Sequence, residues 1–225
     1  MSGLDRVLGY LEANDQASGF LSAQSSRPWS IMDWAAGGRR NNVGALWGEG
    51  MPILNVDEHV AIVDADPKWP AQFHDEAKTL RLALGSTAVA VEHIGSTAVP
   101  GLAAKPILDI LIGAAADRDD DTLAKTLRGL RYQSLGEAGL PGRLYFSKRG
   151  VVSCNVHVVL FDGKHWKTNL AVRDFLRAHP KRALEYAALK REAAKRSGGL
   201  LAYSQYKSEF MDELVRTAMA RQDGV

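Results

Sequence analysis

The sequence predicts an α/β fold of the mixed, α+β kind: a small mixed sheet flanked by helices, with an N-terminal extension. Three observations carry this. Runs with strand character recur at residues 88–94, 106–112, 144–147 and 152–160, where apolar residues alternate or run unbroken. Segments with apolar residues at helical spacing precede, separate and follow those runs. Composition also shifts near residue 56, dividing the chain into an extension (1–55) and a main domain (56–225).

The extension has no lysine and is rich in Gly, Ser, Ala and Asn, yet it holds Trp29, Trp34 and Trp47. A disordered tail gains nothing from large apolar rings, so a strap on the core or a lid is expected. Leu4, Val7, Leu8 and Leu11 suggest a short helix at 4–13. Arg39, Arg40, Asn41 and Asn42 would offer a lid donors for an anionic ligand.

In the main domain, residues 60–63 are a first strand candidate. Asp66 can cap, and Pro67 can start, a helix carrying Trp69, Phe73, Ala77, Leu80 and Leu84 on one face. The strand candidates 88–94 and 106–112 follow. Residues 119–130 form an amphipathic helix through Leu123, Leu127 and Leu130. Strands at 144–147 and 152–160 flank Arg149-Gly150, and helices are expected at 167–178, 181–196 and 203–219.

Apolar residues make up 46% of the chain, with 28 Lys and Arg against 26 Asp and Glu. Such a nearly neutral, globular composition does not point to nucleic acid as partner. A single cysteine, Cys154, excludes an internal disulfide and reads as a buried small hydrophobe in a reducing compartment. No apolar run approaches the roughly 18 residues of a membrane span, and the N-terminus lacks signal-peptide order. A cytoplasmic location without membrane association is expected.

Residues 91–112 carry the chemistry: Val-Glu-His-Ile-Gly-Ser-Thr-Ala-Val-Pro-Gly-Leu-Ala-Ala-Lys-Pro-Ile-Leu-Asp-Ile-Leu-Ile. Gly95-Ser96-Thr97 follows a strand, and glycine there lets backbone amides and the two hydroxyls approach an anion. Asp109 interrupts an apolar strand. A buried unpaired carboxylate is costly, so it pairs with a cation, such as Lys105 or Arg173, or binds a metal. Alternation places Asn155 and His157 on one strand face and sets Glu92 opposite His93. Arg173 and Arg177 share a helix face, as do Tyr203 and Lys207.

This stretch resembles the core motif of the GrpB family, placed in the DNA polymerase beta-like nucleotidyltransferase superfamily. The resemblance rests on His93, Gly95, Ser96, Pro100, Gly101, Lys105, Pro106 and Asp109. It continues through Arg173-Asp174-Phe175-Leu176-Arg177, Tyr186, Leu189-Lys190 and Ala202-Tyr203-x-x-x-Lys207, covering roughly residues 60–214. It implies a nucleotidyltransferase-like sheet, Mg²⁺ as cofactor, a nucleoside triphosphate as substrate and a small-molecule acceptor. By the same likeness, Asp109 and His157 would hold the metal, and Asp109, His93 and His157 would be catalytic. Gly95, Ser96, Thr97, Lys105, Arg173, Arg177, Lys190, Tyr203 and Lys207 would bind substrate and phosphate. Two positions depart from the pattern: Leu111 stands where the superfamily has a second acid, and Asn155 where the family commonly has His.

The implied activity is transfer of a nucleotidyl group from Mg-NTP to a small acceptor, or activation of a carboxylate. Two alternatives stand beside it: a nucleotide or phosphometabolite module without turnover, favoured by Leu111, and a metal-independent transferase using the same cleft. The pattern carries no indication of oligomeric state.

Overall fold

Residues 60–197 and 199–222 are described by the computed structural model. The expected strap or lid (1–55), its helix at 4–13, its three tryptophans and its Arg-Arg-Asn-Asn donors lie outside the described residues.

Helix α1 (Trp69–Leu84) has a proline in its first turn, where the missing N–H costs nothing. It starts two residues later than Asp66-Pro67 suggests, because Asp66 Oδ1 instead accepts from the Lys68 amide at 2.8 Å in the preceding turn. Trp69, Ala77, Leu80 and Leu84 form its buried stripe. Strand β1 (Ala88–Ile94) leads through the turn at 95–98 towards β2 (Leu108–Ala114). Helix α2 (Asp120–Gly129) is capped as its sequence requires: Asp119 accepts from the amides of Asp121 and Thr122. Then come β3 (Gln133–Ser134), β4 (Leu144–Lys148) and β5 (Cys154–Leu160). Helices α3 (Lys164–Ala178), α4 (Pro180–Arg196), α5 (Leu200–Tyr206) and α6 (Ser208–Gln222) complete the chain.

The five strands form one sheet in the order β1-β2-β5-β4-β3, with β2 and β5 parallel and the other pairs antiparallel. The expected small mixed sheet flanked by helices is therefore what the chain builds. Leu108, Ile110 and Ile112 on β2, with Cys154, Val156 and Val158 on β5, face α1 and α2 and form the main core. Each fully buried Leu or Ile there contributes roughly 1.5–3 kcal/mol relative to exposure. On the opposite face, α3 covers Ile94, Leu111 and Val159 with Trp166. Helices α4 to α6 pack outward from α3, and Tyr186, Leu214 and Phe175 share a second core with Val99 and Leu102.

Three elements differ from expectation. Residues 60–63 make only one bridge, Val63 to Ala104, because extending that antiparallel ladder would meet Pro106, which has no N–H. Val60 packs instead against Ala193 and Tyr203. The two residues of β3 are too few to leave a periodic signal. The C-terminal helix is two helices broken at Lys207, where the Ser208 hydroxyl donates to the Gln205 carbonyl at 2.9 Å and competes with the helical ladder. Among the described residues, no helix is long and apolar enough to cross a membrane.

Candidate functional site

Strand pairing decides which side chains meet. Asp109 pairs with Asn155, Leu111 with His157, Glu92 with Leu111, Tyr145 with His157 and Ser147 with Asn155. Because paired residues share a sheet face, Glu92, Asp109, Asn155, His157, Tyr145 and Ser147 lie on the face opposite α1. Helix α3 covers only the Leu111–Val159 end of that face. Two acids lie on this surface, Glu92, which is paired with Arg173, and Asp109.

Asp109 is well supplied with donors. Asn155 Nδ2 donates to its Oδ1 at 2.9 Å, and His157 Nε2 stands 3.7 Å from the same oxygen. Burial alone would raise its pKa. The donors His157 and Asn155, with the charge of Lys105, prevail and hold it at about 2. Asp109 is thus an ionised carboxylate at neutral pH. Asn155 Oδ1 and Ser147 Oγ, both buried, have no hydrogen-bond partner among the described residues.

The 95–98 turn lies directly against this acid. Gly95 has φ +68° and its Cα faces the Asp109 carboxylate. Ser96 Oγ accepts a 2.7 Å hydrogen bond from Lys190 Nζ, which also donates to the Ala103 carbonyl at 2.5 Å and lies over the Tyr186 ring. Lys190 is 2% exposed. Burial first, then the charge of Lys207, lower its pKa to about 7, although Asp109 pulls the other way. Lys207 lies over the Tyr203 ring, 4.8 Å from its centroid, and burial lowers its pKa against the same Asp109 charge. Helices α4 and α5, with the Lys207 break after them, place two Tyr-Lys pairs, Tyr186 with Lys190 and Tyr203 with Lys207, where both lysines feel the charge of Asp109.

The other expected site residues are placed differently. His93 pairs with Ile110, on the core face of the sheet, not beside Asp109. It stacks on Phe73 at 4.6 Å and shares a 2.9 Å hydrogen bond with Thr97 Oγ1. Burial drives its pKa to about 4, so it is a neutral brace for the turn. A general-base role for His93 finds no support in this placement, because alternation gives the site face to Glu92. Thr97 is correspondingly buried and engaged with His93. Arg173 donates to Glu92 Oε2 at 2.7 Å and to the His93 carbonyl at 3.2 Å, and Arg177 donates to the Ala98 carbonyl at 3.0 Å. Arg173 thus braces the end of β1 and Arg177 the turn that follows it. Asp174 takes up further guanidinium donors from each.

The model of the family described as GrpB protein matches residues 59–217. The chain belongs to the GrpB family. It is 37% identical over 161 residues to the UPF0157 protein YqkA of Bacillus subtilis, covering 71% of this chain and 46% of that one. The chain thus spans about half the length of that relative. A UPF0157 protein of Pseudomonas aeruginosa is 37% identical over 172 residues, 73% of this chain and 69% of the relative. Among solved structures, the conserved protein GrpB from Enterococcus faecalis superposes with a TM-score of 0.67 at 33% identity, covering 72% of this chain and 99% of that one.

In this GrpB chain, one residue of the site escaped the sequence reading. Arg143, on the loop between β3 and β4, reaches His157 Nδ1 at 3.4 Å with Nη1 and lies over the Tyr145 ring. Its other donors go to the carbonyls of Glu137 and Ala138. The loop can close on it because Gly136, Gly139 and Gly142 all take positive φ. Three glycines within seven residues, ending on an arginine, were the available signal.

Proposed function

We propose that this GrpB protein is a nucleotidyltransferase-like enzyme acting on Mg-NTP and a small-molecule acceptor. The observation that carries the reading is the direct contact between the glycine of the Gly95-Ser96 turn and the ionised Asp109. A phosphate-binding turn and a hard oxygen ligand, packed against one another, suit a nucleotide that arrives with its cation. Mg²⁺ is commonly held by one or two carboxylates together with substrate phosphates, so one acid is a sufficient donor set for it. Asp109 would hold the ion, which neutralises charge on the transferring phosphoryl group. The Ser96 hydroxyl and the leading amides of its turn would take phosphate oxygens, Lys105 and Lys207 would add positive charge, and Lys190 would hold Ser96 in place. The acceptor and the base preference follow from no contact in this site.

A specific observation favours a second reading, a nucleotide or phosphometabolite module without turnover. Leu111, at the superfamily's second acid, shares the Asp109 face of the sheet but is fully buried against Trp166 in an apolar cluster. Thermal-shift titration of the wild type and Asp109→Asn with ATP, GTP, CTP and UTP, each with and without Mg²⁺, tests both. A Mg²⁺-dependent rise in melting temperature, lost in the variant, supports a Mg-NTP site. Pyrophosphate release in an acceptor screen then supports the enzyme, and binding without release the module. No shift with any nucleotide sinks both and turns the search to metal-independent chemistry.

A further inference from the structure

His157 stands between Arg143 and Asp109, and the chemistry of those two neighbours fixes what its ring nitrogens can do. A guanidinium has only donors and stays charged in proteins. A nitrogen that receives a hydrogen bond from Arg143 must therefore offer a lone pair. Arg143 Nη1 points at Nδ1 at 3.4 Å, so the ring proton of the neutral imidazole resides on Nε2. Nε2 is the nitrogen 3.7 Å from Asp109 Oδ1, an ionised oxygen able only to accept. Both neighbours demand the same tautomer.

This surrounding is the reverse of the one a metal-binding histidine has. A ligating imidazole offers the metal a lone pair and donates its other N–H to a carboxylate, carbonyl or water. Here the nitrogen nearer Asp109 carries the proton, and the far nitrogen meets a cation. Reversing the tautomer would set an N–H against the guanidinium. Arg143 cannot easily turn away, since Nε and Nη2 are committed to the Glu137 and Ala138 carbonyls of its own loop. That loop is tied in turn by the Gly142 amide donating to Glu137 Oε1 at 2.7 Å.

We propose that Arg143 is a positioning residue that locks His157 in the tautomer whose Nε2–H is directed towards Asp109, so that the centre presents oxygen rather than imidazole nitrogen to a cation. The consequence is selectivity. Asp109 receives a hard, oxygen-seeking ion such as Mg²⁺, while Zn²⁺, which favours imidazole, gains no ligand from His157. This rests on Asp109 as the acid of the proposed site, but it is tested without nucleotide or turnover.

The experiment is long-range ¹H–¹⁵N correlation of the imidazole side chains in the full ¹⁵N-labelled chain, above the pH at which they titrate, with His157→Gln to assign the signal. The expected spectrum shows His157 as one tautomer, protonated at Nε2 with a bare Nδ1. In Arg143→Met that pattern should relax to a mixture of tautomers, and Arg143→Lys, which still only donates, should shift it back towards Nε2–H. Adding Zn²⁺ to the wild type should leave the His157 signal unmoved. A wild-type signal protonated at Nδ1, an unchanged pattern in folded Arg143→Met, or a coordination shift with Zn²⁺ would each overturn the proposal. If Arg143→Met fails to fold, the wild-type tautomer and its Zn²⁺ response decide. A negative nucleotide titration beside a locked tautomer would remove the transferase reading and leave this one standing.

Discussion

Gly95 and Asp109 are in direct contact. A methyl group on Gly95 would lie 2.5 Å from Asp109 Oδ2 and 3.0 Å from its Cβ, and the φ of +68° belongs to the region L-residues avoid. The turn and the acid are thus one unit, and only glycine lets them meet.

Gly95→Ala should therefore do two separable kinds of damage. The backbone strain costs about 1–3 kcal/mol of stability. The Cβ clash is sharpest with Asp109 Oδ2 and tight against the Cβ and Cγ of the same side chain, so it pushes the carboxylate off Asn155 and His157. Chemical denaturation should show the first effect. Loss of the Mg-ATP thermal shift at a temperature where the variant remains folded should show the second. A variant as stable as the wild type with undiminished ligand response would mean that the turn does not seat the ligand.

For Asp109 the sign of the pH effect follows from its lowered pKa. The folded value falls from the ordinary 3.8 to about 2, so the carboxylate stabilises the fold above the ordinary value and loses that contribution as pH drops through about 2. The stabilisation is about 2 kcal/mol at most. Asp109→Asn should differ from the wild type by a constant amount at neutral pH, and that difference should shrink between about pH 4 and 2. Urea titrations at stepped pH measure it. A difference independent of pH would show that the donors around Asp109 do not favour its charged form.

How legible this was in the sequence depended on the range of the interaction. Asp109 stands out in the sequence because an acid inside an Ile-Leu strand is a local anomaly, and Gly95 and Ser96 stand out through their spacing to it. Asn155 and His157 followed from alternation within one strand. Which of His93 and Glu92 shares the face of Asp109 is not legible locally, because alternation shows that two residues face opposite ways, not which way is the site. That needs the pairing of Ile94 with Asp109 and the position of Phe73. Arg143 reaches the site from a loop and pairs with a residue 14 positions on, so no local period marks it. The break at Lys207 was hidden because a serine-carbonyl hydrogen bond leaves the apolar spacing of a helix intact.

Lys190 gives the opposite pH dependence. Its folded pKa of about 7 lies below the ordinary 10.5, so the unfolded chain holds the proton more tightly between those values. Stability from this group therefore rises with pH across that window, by about 1.4 kcal/mol per pH unit at the steepest. Lys190→Met removes the titration, but strands Ser96 Oγ and the Ala103 carbonyl without their donor. The variant should lose nucleotide response at every pH, and its stability should lack the wild type's rise from pH 7 to 10. Parallel stability curves for the two proteins would show that Lys190 is no harder to charge in the fold than in water.

Leu111 invites an attempt to rebuild the superfamily's second acid, and the packing predicts that it fails. The residue is 0% exposed and its cluster with Ile94, Val159 and Trp166 is wholly apolar. Across the strand pair, Glu92 already occupies the polar border of that region and is neutralised by Arg173. A carboxylate at 111 would be buried among apolar side chains, and would also leave a void where the leucine packed. Those two effects together should cost Leu111→Asp about 4 kcal/mol or more. The expected result is a large drop in melting temperature or an insoluble chain, with no gain in Mg²⁺ affinity. Leu111→Asn, of similar size and uncharged, should be destabilised less than the aspartate variant at neutral pH, and the gap between them should close as pH falls and the new carboxyl protonates. A stable Leu111→Asp protein with tighter Mg²⁺ binding would overturn this account. It would mean that α3 and Trp166 lift from the sheet readily enough to open a second ligand position beside Asp109.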